Sequence, residues 1–114
     1  MQRNLSPEEF LKDPSRYLMV DVRSQAEWDA CHEEGAAHIP LIELEERSKE
    51  LPKDKPLLLV CRTGGRSDRA CQILGALGFD ALNLLGGLRM LARARMERGQ
   101  IAPKEAARVL ERLG

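Results

Sequence analysis

The chain has 114 residues, 43% of them apolar, with 18 basic and 18 acidic side chains, the size and make-up of one globular domain. Balanced charge excludes the strongly basic footprint of a nucleic-acid binder, and no apolar run reaches the ~20 residues of a membrane helix, so neither nucleic acid nor membrane is an expected partner. The N-terminus lacks an apolar signal core, and the three cysteines, Cys31, Cys61 and Cys71, are too sparse and odd for a secreted disulfide framework, so reduced thiols and a cytoplasmic location are expected.

Ser6 with Glu9 reads as a capping box, with Pro7 at the first helical position and Leu5 placed to staple against Phe10. Pro14 ends that helix. Leu18-Met19-Val20 is a short apolar run of the kind buried on both faces in a parallel sheet. Ser24 and Glu27 repeat the capping-box pattern before a short helix carrying Trp28, and a third helix is predicted over residues 42–49, closed by Pro52. A second strand, Leu57-Leu58-Leu59-Val60, begins after Pro56, where no central ladder bond is lost. Ala70, Ile73, Leu74 and Leu77 then recur at helical spacing, with Gly78 suited to a left-handed ending and Phe79 folding back on Leu74.

Ala81-Leu82-Asn83-Leu84 reads as a third strand, and a fifth helix runs from Gly86-Gly87 to near Gly99. Pro103, Ala106, Val109, Leu110 and Leu113 mark a short amphipathic helix. It is read as packing on the domain, with a partner-binding or dimerising stripe as the alternative. Strands alternating with helices predict an α/β fold, a small mainly parallel sheet flanked by helices on both faces, because parallel neighbours need crossover connections. Residues 1–98 are expected to form the domain and 99–114 a helical extension packed on it.

One segment carries chemistry: Cys61-Arg62-Thr63-Gly64-Gly65-Arg66-Ser67, between a buried strand and a helix. In open α/β sheets ligands bind at the carboxyl ends of strands. Gly64 and Gly65 permit the sharp turn, whose successive N–H groups form an anion nest that the following helix N-terminus reinforces. Arg62 and Arg66 add permanent positive charge. Such surroundings lower a thiol pKa, and the thiolate is the nucleophile. A glycine-rich turn beside an inert cysteine is the bland alternative, and it leaves the two arginines unexplained.

This loop resembles the active-site loop of the rhodanese family, with cysteine first and an arginine five positions on. Asp21-Val22-Arg23 followed by Glu27-Trp28 looks like that family's upstream signature, and residues 32–40, from His32 through His38-Ile39-Pro40, resemble its His-Ile-Pro-Gly-Ala stretch. Leu85-Gly86-Gly87-Leu88 is similar to its glycine pair before the last helix. The resemblance spans about residues 4–98 and implies a rhodanese-like domain in which Cys61 carries a persulfide and residues 62–66 cradle it. Departures fall at Cys31, Glu33, Glu34 and Leu91, outside the cradle.

The reading that follows is a thiosulfate sulfurtransferase. Cys61 takes sulfane sulfur from thiosulfate or a persulfide donor and passes it to cyanide, a small thiol or a partner cysteine, in two half-reactions and without cofactor or metal. Arg62, Thr63, Gly64, Gly65, Arg66 and Ser67 are the expected substrate-binding residues. Asp21 and Arg23 are supporting residues, with Asp21 ordering Arg23 or the loop, or capping a turn. One rival is a phosphatase or arsenate reductase, whose related loops hold five residues between cysteine and arginine where this one holds four. Another is a non-catalytic or relay module that binds a partner protein. Cys71 is expected in the core and Cys31 is left open. His32 and His38 lack zinc spacing and are read as structural hydrogen bonders. Arg89, Arg93, Arg95 and Arg98 are read as a solvated helix face able to attract an acidic partner.

Overall fold

A computed structural model describes residues 3–114. Five strands form one sheet: β1 (Asn4–Leu5), β2 (Leu18–Asp21), β3 (Ala37–His38), β4 (Leu57–Val60) and β5 (Ala81–Leu84). Their order is β1-β5-β4-β2-β3 and every neighbouring pair is parallel. Among the described residues six α-helices connect or cover them: α1 (Pro7–Lys12), α2 (Gln25–Ala30), α3 (Leu44–Arg47), α4 (Gly65–Ala76), α5 (Gly87–Glu97) and α6 (Pro103–Leu113).

Strand β4 shows why the sheet is buried on both faces. Leu57 and Leu59 pack with Ala70, Leu74 and Phe79 on the α4 side, whereas Leu58 and Val60 pack with Phe10, Leu88 and Leu91 on the α1 and α5 side. This two-residue alternation sends Cys61, the next residue, to the α4 side. Ala106 and Leu113 of α6 are buried, and Leu113 joins the second cluster, so α6 packs on the body beside α5.

The ends of α4 and α2 follow their sequence signals. Phe79 N–H bonds the Leu74 carbonyl at 3.0 Å and Gly78 N–H bonds that of Gly75 at 3.1 Å, a double-bonded ending that Gly78, at φ +91°, makes possible. Ser24 and Glu27 form both bonds of a capping box. At α1 the Ser6 hydroxyl accepts the Glu9 N–H at 3.1 Å, but the Glu9 carboxylate turns to Lys12 at 3.0 Å rather than completing the box.

The predicted third helix is broken into a 3-10 turn (Leu41–Glu43), the single turn α3 and a second 3-10 turn (Ser48–Glu50). Of these residues only Leu44 is buried, and Ile42 is 95% exposed, so little apolar surface holds a longer helix to the sheet. Strands β1 and β3 were not foreseen. Each has two residues, too few to show a period, and each exists by pairing with a neighbour.

Candidate active site

The loop after β4 is held from two directions. Leu88 N–H and Arg89 N–H, in the first turn of α5, bond the carbonyls of Cys61 at 2.9 Å and Arg62 at 3.2 Å. This strap needs Gly87. Its φ is +65°, and a Cβ there would stand 2.5 Å from the Arg62 carbonyl oxygen and 2.6 Å from that of Cys61. Gly64, at φ +104°, makes the turn that opens α4.

Inside this turn Cys61 is 1% exposed, and its sulfur accepts the Gly64 N–H at 3.1 Å. Ser67 Oγ lies 3.4 Å from it. Burial pushes the Cys61 thiol up, but hydrogen bonds from the Ser67 hydroxyl, when its proton turns from Asn83 to the sulfur, and from the backbone N–H groups of Ser67, Gly64 and Thr63 outweigh it. The net effect holds the thiol below its ordinary value, favouring the nucleophilic anion. Ser67 in turn donates to Asn83 Oδ1 at 2.5 Å, and Asn83 Nδ2 donates to the Gly64 carbonyl at 3.3 Å.

The arginines of the loop do not converge on the sulfur. Arg66 donates from Nη1 and Nη2 to the two carboxylate oxygens of Glu27, at 2.6 and 2.8 Å. Chiefly through these bonds the Glu27 carboxyl is lowered to about 2. Arg62 is exposed and extends toward the end of α6, its Nη1 3.7 Å from where a Gly114 side chain would begin. Thr63 and Gly65 are also exposed, while Gly64 is buried.

Asp21 and Arg23 sit behind this layer, 1% and 0% exposed. Arg23 Nε lies 3.0 Å from both Asp21 oxygens, and Nη2 donates to Asp21 Oδ2 and to the Cys31 carbonyl, each at 2.8 Å. The guanidinium thus fastens the end of α2, the helix that presents Glu27 to Arg66. His38 Nε2 bonds the Arg23 carbonyl at 2.8 Å and His32 Nδ1 that of Trp28 at 2.8 Å, and both rings stack on Trp28.

Cys71 is buried in the α4-side core. Cys31 is half-buried and lines a groove of about 260 Å³ shared with α5 and α6. Arg95 pairs with Glu33 at 2.6 Å, which gives that departure from the family stretch a structural partner. Among the described residues no cluster of His, Cys, Asp and Glu is placed to hold a metal ion, and no helix is long and apolar enough to cross a membrane.

Two participants escaped sequence reasoning. In the sequence Glu27 shows only as a capping residue and part of a signature, and Asn83 only as part of a strand. A single amide within an apolar buried strand was the available signal, since a buried amide requires partners.

The rhodanese-like domain family matches residues 6–94. The uncharacterized protein YqhL of Bacillus subtilis is 37% identical over 90 residues, covering 78% of this chain and 71% of that protein. A sulfurtransferase of Allochromatium vinosum is 37% identical over 84 residues, covering 73% and 78%. The probable adenylyltransferase/sulfurtransferase MoeZ of Mycobacterium tuberculosis is 39% identical over 83 residues, but the match spans only 21% of that longer protein. The crystal structure of a rhodanese-related protein from Thermoplasma volcanium superposes with a TM-score of 0.77 at 27% identity, covering 81% of this chain and 92% of that one.

Proposed function

This chain belongs to the rhodanese-like domain family, and from that membership we propose that it is a rhodanese-type sulfurtransferase that takes sulfane sulfur from thiosulfate or a persulfide donor onto Cys61. The observation that carries the proposal is the Cys61 sulfur at the carboxyl end of β4, receiving the Gly64 N–H inside a turn that leads directly into α4. Sulfur transfer is the activity named for several relatives. Residues 1–98 are taken as the rhodanese-like unit and 99–114 as its helical extension, and a cytoplasmic setting suits a thiol that must stay reduced.

In the first half-reaction the Cys61 thiolate attacks the outer sulfur of thiosulfate or of a persulfide. The new S–S bond forms as the old one breaks, and sulfite or a thiolate leaves with the bonding electrons. The negative charge on the terminal sulfur is held by the N–H groups of residues 63–67, preorganised by the Gly87 strap and costing no rearrangement at the moment of reaction. In the second, cyanide, a small thiol or a partner cysteine attacks that sulfur and Cys61 thiolate is regenerated. Arg62, Thr63 and Gly65 are the exposed residues of the loop; Thr63 and Gly65 form the entrance, and the Arg62 side chain borders it as it reaches toward the end of α6. Arg66 flanks it. Asp21 and Arg23 support the site through α2.

The geometry disfavours the phosphatase reading. The arginine that would clamp a phosphate is bound to Glu27, and the shorter loop suits one sulfur atom better than three phosphoryl oxygens.

The test is intact-mass measurement after incubation with thiosulfate or glutathione persulfide. The wild type and Cys31→Ser are expected to gain one sulfur atom and Cys61→Ser none, with Cys61→Ser still folded by circular dichroism. Loading that survives Cys61→Ser rules out this nucleophile, and no loading of the wild type by either donor rules out the activity.

A further inference from the structure

Resting on the sulfur-transfer reading, we propose that Glu27 selects the sulfur donor: by holding Arg66 it reserves Cys61 for hydropersulfides, R–S–SH, over sulfur-bearing oxyanions such as thiosulfate.

The argument is one of charge and of who is already partnered. Arg66 is the cation at the N-terminus of α4, and its two terminal nitrogens both rest on the Glu27 carboxylate. The Glu27 and Arg66 side chains are 28% and 40% exposed, so the pair sits at the rim, where an incoming anion meets it. Arg23 is buried against Asp21 and Arg62 extends toward Gly114. A dianion approaching the Cys61 thiolate therefore finds a net-neutral pair. It must displace a bidentate carboxylate from Arg66 or bind without that charge.

A hydropersulfide has no such requirement. It reacts as an electrophile in its neutral R–S–SH form, and the backbone amides at Cys61 suffice to hold the sulfur. The step balances: Cys61–S⁻ attacks the outer sulfur of R–S–SH, Cys61–S–SH forms, and R–S⁻ departs with the electrons of the broken S–S bond. Specificity then lies in a cation withheld from the wrong donor rather than in a contact to the right one.

The test compares thiosulfate, glutathione persulfide and persulfidated serum albumin as donors to the wild type, Glu27→Gln and Glu27→Asp. Gln keeps the capping bond to Ser24 without the charge, and Asp keeps the charge on a shorter stem, so a shift seen in Glu27→Gln and not in Glu27→Asp is due to the lost charge and not to local misfolding. In the wild type at least one hydropersulfide is expected to exceed thiosulfate in kcat/KM. Glu27→Gln should raise the thiosulfate-to-persulfide ratio about tenfold or more, through a lower KM for thiosulfate.

A second arm needs no turnover. Sulfate, a dianion with no transferable sulfur, should protect Cys61 from iodoacetamide at about tenfold lower concentration in Glu27→Gln than in the wild type. If no donor loads Cys61, the sulfurtransferase reading fails while the sulfate arm still decides the role of Glu27. A wild type that prefers thiosulfate to both hydropersulfides, or sulfate protection unchanged in Glu27→Gln, overturns the proposal.

Discussion

Ser67 donates its hydroxyl proton to Asn83 across 2.5 Å, and so it turns a lone pair toward the Cys61 sulfur 3.4 Å away. The direction is fixed by the next bond. The Asn83 amide nitrogen faces the Gly64 carbonyl at 3.3 Å, where only a donor fits, so its oxygen faces Ser67. A hydroxyl has one proton. While Asn83 holds it, Ser67 accepts from the thiol, and it favours the thiolate only by swinging the proton away from Asn83.

Replacing Asn83 removes that competition. Asn83→Leu is expected to shift the pH inflection of Cys61 alkylation downward, because Ser67 is then free to donate to the anion. The same variant leaves the Gly64 carbonyl with the Asp68 N–H but without its side-chain donor, at a cost in urea unfolding of about 0.5–1.5 kcal/mol. Loss of stability with an unmoved inflection would reduce Asn83 to a structural strut.

The depressed Cys61 pKa makes its own prediction. Iodoacetamide alkylation should inflect below the roughly 8.5 of an unperturbed thiol. Because the fold favours the anion, this contribution to stability is fully present above the unfolded thiol pKa and is lost as the pH falls through the depressed value. The stability gap between wild type and Cys61→Ser should therefore narrow on going from alkaline to neutral and acid pH. A gap that widens toward acid would mean that burial, not the hydrogen bonds, dominates at the sulfur.

Gly87 and Gly75 separate steric need from mere presence. Gly87→Ala puts a Cβ against the Cys61 and Arg62 carbonyls at positive φ, and should cost at least about 1–3 kcal/mol as well as most of the sulfur loading. Gly75 lies in α4 with nothing within 4 Å of a built Cβ, and Gly75→Ala should gain about 0.5–1 kcal/mol with loading unchanged. Thermal unfolding and mass spectrometry check both. Equal effects at the two positions would mean the strap from α5 is dispensable.

What the sequence made legible, and what it hid, follows from the range of each interaction. The four buried residues of β4, the ending at Gly78 and Phe79 and the capping box at Ser24 are written in adjacent or nearly adjacent residues. The cysteine loop is equally local. By contrast Glu27 meets Arg66 across 39 positions of sequence, and no periodicity encodes such a meeting. Asn83 likewise reaches Ser67 and Gly64 only because β5 lies beside β4. The arginines were expected at the sulfur because sequence shows charge but not which carboxylate claims it.

The buried pair Asp21–Arg23 is the furthest support of the site and the most sensitive to one-sided removal. Arg23→Met strips the partner from a carboxylate that is 1% exposed and also abandons the Cys31 carbonyl at the end of α2. An uncompensated buried charge of this kind costs about 3–5 kcal/mol. Asp21→Asn leaves the guanidinium short of an anion and should be destabilising too. In the double variant neither charge remains, so its loss should fall short of the sum of the single losses, a coupling that urea unfolding measures. Loosening α2 should also release Glu27 from Arg66, so Arg23→Met is expected to move donor preference in the direction of Glu27→Gln. Additive losses, with donor preference unmoved, would mean that the pair only fills space and does not hold α2 in place.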